Sequence, residues 1–377
     1  MSETRFLQIH TLHSYPAALL NRDDSGLAKR LPYGGEMRTR VSSQCLKRHW
    51  RMAEDDPHAL RRIDGAELAH RSRELVTRKV IAPLRGTYPD AVVEALEPAF
   101  QKAVYGDKGD QGKQSRQTLL FGAPEITWLA AEADRLAREA GDDPKAAETS
   151  AAEWGKAFRA NIRVMREATK LPGGLTAALF GRMVTSDPSA NIDAAIHVAH
   201  AFTVHAEESE SDYLTAVDDL HTDDEDAGAD TIQETELTSG LFYGYVVVDV
   251  PGLVENLGDD RQLAAEVIHN LLYLIAEVSP GAKLGSTAPY SRASLMLVEA
   301  GDRQPRSLAG AYRDAARPDL GEAVAKLSNH LHDLDRCYAT GETRRFLSLA
   351  NTDLSGAERG DLAQIATWAA DQVRGSA

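Results

Sequence analysis

Apolar positions along this 377-residue chain change period several times, and each change marks an element. FLQIHTLHSY at 6–15 is apolar and β-branched with partial alternation, which predicts an opening strand. A loop follows, punctuated by Asn21, Asp23, Gly26, Pro32, Gly34 and Gly35. Ser42 or Ser43 then caps a short helix through Gln44, Leu46, Lys47, His49 and Trp50. Residues 58–182 read as mostly helical, with ITWLAAEADRLAREA at 126–140 and AAEWGKAFRANIRVMREA at 151–168 as the clearest runs. A turn-rich patch at 105–117 and a charged linker at 141–145 interrupt them. TSGLFYGYVVVDV at 238–250 predicts a strand, and RQLAAEVIHNLLYLIAEV at 261–278 a helix apolar on most of two faces and therefore well buried. Residues 280–301 read as loop then strand, and helices are expected near 318–334 and 357–374. No repeat of solenoid period is present. The order strand, helices, strand, helix, strand implies an α+β core carrying a large helical insertion.

Charge alters this picture in two places. From Lys29 to Arg51 seven cations (Lys29, Arg30, Arg38, Arg40, Lys47, Arg48, Arg51) stand against Glu36, a local net charge of +6 in a chain of formal net charge −15. A local reversal of sign is the footprint of a polyanion site, and screening over about 8–10 Å lets a small basic patch act inside an acidic molecule. On the helix, Gln44, Lys47, Arg48 and Arg51 fall at i, i+3, i+4 and i+7 and share one face, while Leu46 and Trp50 face the core. The opposite anomaly lies between Arg182 and Arg261, where Lys and Arg are absent and carboxylates are densest at 207–236. HTDDEDAGAD at 221–230 has too few apolar side chains for a core of its own and reads as an exposed, mobile loop.

Other chemistry is sparse. Two cysteines, Cys45 and Cys337, make no disulfide framework, and a cytoplasmic protein is the simple expectation. Residues 1–20 lack the pattern of a signal peptide, and no apolar run has the length of a membrane span. His197, His200 and His205 lie close together, but neither HExxH nor CxxC accompanies them, so packing or surface placement is favoured over a metal site. Cys45 reads as packing rather than a nucleophile. Asp23 and Asp24 could hold a divalent ion beside phosphate, but adjacent carboxylates are common and a loop cap or an ion pair to Arg22 is the favoured reading. Neither a P-loop, GxGxxG nor GxSxG occurs, and no cofactor is implied.

An ordered set of strings resembles one family. LNRDD at 20–24, GG at 34–35, RxRVSSQxLKR at 38–48, LFGRM at 179–183, HVAHAFTVH at 197–205, DYLTAVDDL at 212–220, SGLFYGY at 239–245, ENLG at 255–258 and PGAK at 280–283 are similar to the CasC-type backbone subunit of the type I-E CRISPR surveillance complex, Cascade. The resemblance implies a modified RRM-like, ferredoxin-like palm (1–59, 183–200 and 241–377, the last with C-terminal helices), a helical fingers insertion (60–182) and an extended thumb loop (201–240). It implies a non-catalytic, cytoplasmic subunit that oligomerises head-to-tail along the spacer of a CRISPR RNA. That subunit presents the guide to a target DNA strand, with the large, small, belly and guide-processing subunits as further partners and no membrane. A metal-dependent ribonuclease cutting target RNA with Asp23 or Asp24 is the alternative.

A backbone subunit must accept any guide, so its contacts should reach phosphates, sugars and π-faces. Lys29, Arg40, Lys47, Arg48 and Arg51 suit phosphate; Ser42, Ser43 and Gln44 suit phosphate oxygens or the 2′-OH; free N–H groups at the helix start add an anion site. By resemblance Gln44, Lys47, Arg51 and Lys29 fall on RNA-contacting positions, and Asn21 and Arg22 of LNRDD join the RNA-binding set. Met183, Tyr213 and Leu214 match positions near the thumb wedge that displaces bases, and the acidic tip around Asp223, Asp224, Glu225 and Asp226 is expected to meet a basic neighbour or solvent.

Overall fold

The computed structural model describes residues 4–65, 67–184, 187–216 and 231–375. The chain forms an α+β structure that divides into two compact units. The first contains residues 1–60, 197–250 and 265–377; the second contains 61–196 and 251–264.

The first unit is built on a sheet whose centre is the opening strand β1 (Phe6–Ala18). Residues Phe6 to Leu12 are all buried, because β1 is flanked on both sides and covered on both faces. On one side it pairs antiparallel with Ala293–Gly301, from Phe6 opposite Gly301. On the other it pairs antiparallel with the 19-residue strand Thr231–Asp249, from Phe6 opposite Asp249. Beyond the latter come Ala201–Thr203, then β3 (Glu36–Val41) and β2 (Arg30–Tyr33); beyond the former come Thr343–Ser348 and Glu358–Arg359. Four central strands therefore lie in the spatial order fourth, first, third, second of their chain order. Helix α1 (Ser43–Met52) separates the first from the second, and the helix Arg261–Glu277 separates the third from the fourth. This is βαββαβ connectivity.

Apolar clusters hold the sheet's coverings. The helix Leu320–Tyr338 brings Val324, Leu327 and Leu331 against Leu12, Leu241, Leu295, Leu297 and Phe346. Tyr15, Ala18, Leu20, Val41, Ala201 and Phe242 form a smaller cluster on which Cys45 and Leu46 of α1 pack. Trp50 is buried one turn further on, so α1 is fixed by its apolar side as its spacing predicts.

The second unit is mainly helical: α2 (Asp90–Tyr105), α3 (Ala123–Ala140), α4 (Pro144–Glu167) and α5 (Gly174–Phe180). Phe100, Leu129, Leu136, Trp154, Phe158 and Ile162 form its core, with Phe100 and Trp154 stacked at 4.0 Å between ring centroids. It also contains a two-stranded sheet, His70–Ser72 with Leu119–Phe121, which the helical pattern of the sequence does not reveal. Both strands are three residues long, too short to show a period.

The loop expected at 221–230 lies outside the described residues, and the acidic stretches before and after it are strands. Glu208–Ala216 pairs antiparallel with Thr231–Ser239 in one hairpin, from Glu208 opposite Ser239 to Ala216 opposite Thr231. Polar residues occupy both faces, so apolar alternation is missing although the backbone ladder is complete. The acidic tip, Asp223 to Asp226, lies outside the described residues.

Candidate nucleic-acid interface

The start of α1 is assembled by residues on either side of the β2–β3 hairpin. Ser42 is the N-cap, with extended backbone (φ −71°, ψ 148°), and its hydroxyl accepts from the Cys45 N–H at 3.3 Å. Its own N–H is held by Asn21 Oδ1 at 2.9 Å, and the Asn21 carbonyl accepts from the Lys29 N–H at 3.0 Å. Asn21 thus ties the basic loop to the helix start. With those groups engaged, the N–H groups of Ser43 and Gln44 have no acceptor among the described residues and suit an anion. The first turn carries no acidic residue, so the positive end of the helix is not neutralised locally. Gln44 and Arg48 are exposed and Lys47 and Arg51 half-buried on the same face; Ser42 and Ser43 are buried beneath it.

The structure sorts the seven cations into two groups. Arg38 is fully buried, where its guanidinium donates to the carbonyls of Tyr33 (3.3 Å), Thr203 (3.2 Å), Tyr312 (3.1 Å) and Arg313 (3.4 Å). Burial lowers its pKa from the ordinary arginine value. Arg30 forms ion pairs with Glu207 at 2.5 Å and with Glu236, and Glu236 also accepts from the Ala28 N–H at 2.6 Å. Desolvation acts against the Arg30 charge, and the bonds to Glu207 and Glu236 outweigh it, leaving its pKa raised. These two arginines hold the fold. The remaining five, Lys29, Arg40, Lys47, Arg48 and Arg51, are those the sequence assigns to phosphate.

Arg40 is held by two acceptors, Nε on the Arg30 carbonyl at 3.1 Å and Nη1 on His200 Nδ1 at 3.0 Å. His200 has its pKa lowered by desolvation and then by the charges of Arg40, Lys29 and Lys47. The imidazole therefore sits within the field of the loop, β3 and α1 together. It is the residue that charge counting misses; its only signal is the HVAHAFTVH string, whose histidine spacing raises the question of a metal rather than of an arginine partner. His205, by contrast, spends both ring nitrogens on backbone, Nδ1 with the Ala206 carbonyl at 2.7 Å and Nε2 with the Leu241 N–H at 3.1 Å. Among the described residues no three His, Cys, Asp or Glu side chains converge on a metal-sized point.

Asp23 is a loop cap: its Oδ1 accepts from the N–H groups of Ser25 (2.9 Å) and Leu27 (3.0 Å). Asp24 is exposed beside it, and Arg22 is exposed and bridges Ala28 through backbone. Burial pushes the Cys45 thiol up, and its sulfur contacts the Leu20 carbonyl at 3.8 Å, as packing requires.

The three wedge residues belong to different units. Met183 is 79% exposed, unusual for so apolar a side chain, and belongs to the second unit. Arg182 beside it is buried and donates to Glu125 (2.7 Å) and to the Ala190 carbonyl (2.8 Å), and Arg166 donates to the other Glu125 oxygen at 2.6 Å. Tyr213 is 62% exposed, opposite Glu234 in the hairpin of the first unit. Leu214 pairs with Gln233, and its side chain lies outside the described residues.

The model of the family described as CT1975-like protein matches residues 7–371. A chain of a solved CRISPR RNA-guided surveillance complex, pre-nicking, superposes with a TM-score of 0.76 at 28% identity, covering 97% of this chain and 100% of its own. A chain of a second CRISPR RNA-guided surveillance complex gives a TM-score of 0.59 at 24% identity, covering 97% and 99%, and shares the fold. No curated protein matches the chain.

Proposed function

Since the chain belongs to the CT1975-like protein family, we propose that it is a non-catalytic, CRISPR RNA-binding backbone subunit of a type I-E surveillance complex. In this reading copies assemble head-to-tail along the guide and present it to target DNA, with the other Cascade subunits bound around them in the cytoplasm. One observation carries the proposal: a helix start without carboxylates in its first turn, capped through Asn21 and Ser42, with Gln44, Lys47, Arg48 and Arg51 on one face of the helix that follows. Such a surface recognises sugar–phosphate irrespective of sequence, as a guide-binding scaffold requires. The solved complexes of similar fold support it.

Within the proposal, the sheet-containing unit acts as palm, the helical unit as fingers, and the acidic hairpin with the residues beyond it as thumb. Met183 and Tyr213 serve as apolar wedges that unstack a base at a cost of a few kcal/mol per step. A flexible base for Met183 would dissipate that work; the doubly bonded Glu125 between Arg166 and Arg182 resists it. Asp23 is occupied as a loop cap, which favours the scaffold over the ribonuclease.

The test uses the complex assembled on a guide containing 2-aminopurine. Lys47→Ala with Arg51→Ala should lower guide retention and reduce the salt slope of binding by about 0.7 for each phosphate no longer neutralised. Met183→Ala should leave assembly intact and quench the 2-aminopurine signal of displaced positions. Wild-type retention by the double variant would refute the interface. Regular cleavage of complementary RNA in Mg²⁺, abolished by Asp24→Ala, would sink the non-catalytic reading.

A further inference from the structure

We propose that His200 is a positioning residue of the RNA interface, acting as the acceptor that orients Arg40 toward phosphate. The inference rests on the RNA-binding reading above and adds a residue to it.

The geometry is specific. A guanidinium has five N–H donors in a rigid fork, and its value at a phosphate depends on presenting the right edge. Arg40 is fixed at two points: Nε on the Arg30 carbonyl and Nη1 on His200 Nδ1. Two bonds on different nitrogens define the plane of the fork and leave the other N–H groups for an anion. The backbone sets the distance, because Arg40 lies opposite Phe202 and Val41 opposite Ala201, which places His200 at the adjoining end of the ladder. Arg30 is itself held by Glu207 and Glu236, so the carbonyl end of the clamp is also fixed.

Nδ1 can accept only from a neutral ring with its proton on Nε2. The groups around His200 favour that form: Arg40 on β3, Lys29 in the loop and Lys47 on α1 are all cations that oppose a further positive charge. The cations that attract phosphate therefore also keep the imidazole able to hold one of their number. A lysine or a protonated histidine in its place would add charge and lose the orientation.

The test is a double-mutant cycle on guide binding by the full chain, with thermal melting of each variant as the folding control. His200→Ala should weaken RNA binding severalfold without lowering the melting temperature. His200→Asn, whose Oδ1 can replace Nδ1, should restore affinity to near wild type. In an Arg40→Ala background, His200→Ala should cost nothing further, because its effect runs through Arg40. Wild-type affinity in His200→Ala, no rescue by Asn, or an equal loss with and without Arg40 each overturns the assignment. A wild-type chain that binds no RNA would instead overturn the RNA-binding reading itself, and this assignment with it.

Discussion

Arg38 shows how far a residue's identity can be from its role. By composition it belongs to the basic patch, yet its guanidinium is buried on four carbonyls from β2, from Thr203 and from Tyr312 and Arg313. Arg38→Ala would leave these acceptors unbonded over a cavity, at about 1–3 kcal/mol for each one left dry. A loss of at least about 3 kcal/mol, roughly 10 °C in melting temperature, is expected. Arg38→Lys should recover only part, since a point charge cannot span three segments. Arg48→Ala should melt within about 2 °C of wild type, because it is exposed. Equal melting of the Arg38 and Arg48 variants, measured by calorimetry, would contradict the division between a cation buried in the fold and one on the surface. Sequence could not make that division. The partners that remove Arg30 from the patch, Glu207 and Glu236, are 177 and 206 residues away in the chain, so a local charge count includes a cation whose charge is already met.

Elements are legible where their buried positions carry mainly apolar side chains. β1, α1, the helix Arg261–Glu277 and the strand Ala293–Gly301 each bury an apolar set that the chain displays openly. The hairpin Glu208–Ala216 with Thr231–Ser239 does not, because it is held by its backbone ladder and by polar side-chain bonds such as Arg30 to Glu236. Thr343–Ser348 is equally hidden: Arg344 takes a buried place in it through Glu299 and Asp335, where pattern reading expects an apolar residue. The β2–β3 turn reads in sequence only as a loop, yet its two glycines have separable duties. Both have positive φ, +64° at Gly34 and +87° at Gly35, as a two-residue type I′ hairpin needs. A Cβ on Gly35 meets open space, so Gly35→Ala should cost only the left-handed strain, about 1–2 kcal/mol. A Cβ on Gly34 would lie 1.6 Å from the Arg313 carbonyl oxygen. That same carbonyl accepts from Arg38, so Gly34→Ala should displace the turn and loosen the buried guanidinium together. Calorimetry should rank Gly34→Ala well below Gly35→Ala in stability. Similar values for the two would mean that the hairpin does not rest on the Arg313 segment.

At the scale of the molecule, the patch and the net charge of −15 set limits on each other. Five cations and one helix start can engage only a few phosphates, and the acidic remainder repels any polyanion that strays from them. A single chain should therefore bind short RNA weakly, and its affinity should fall steeply with salt, with a slope of about −0.7 for each phosphate neutralised. Repetition changes the balance. In the proposed assembly, each copy added beside a seated one would gain a protein contact besides its own phosphates, and modest contacts would accumulate along the guide. Affinity measured against RNA length should then rise in steps, one for each added copy, while the salt slope grows in proportion. A slope independent of length would mean that one copy carries all the binding, and a smooth rise without steps would mean that copies do not bind in a fixed register. The variant Lys47→Ala supplies the discriminating control. Its deficit should multiply with the number of copies on the RNA, because every copy lacks the same cation, whereas damage confined to a single copy would stay constant as the RNA lengthens.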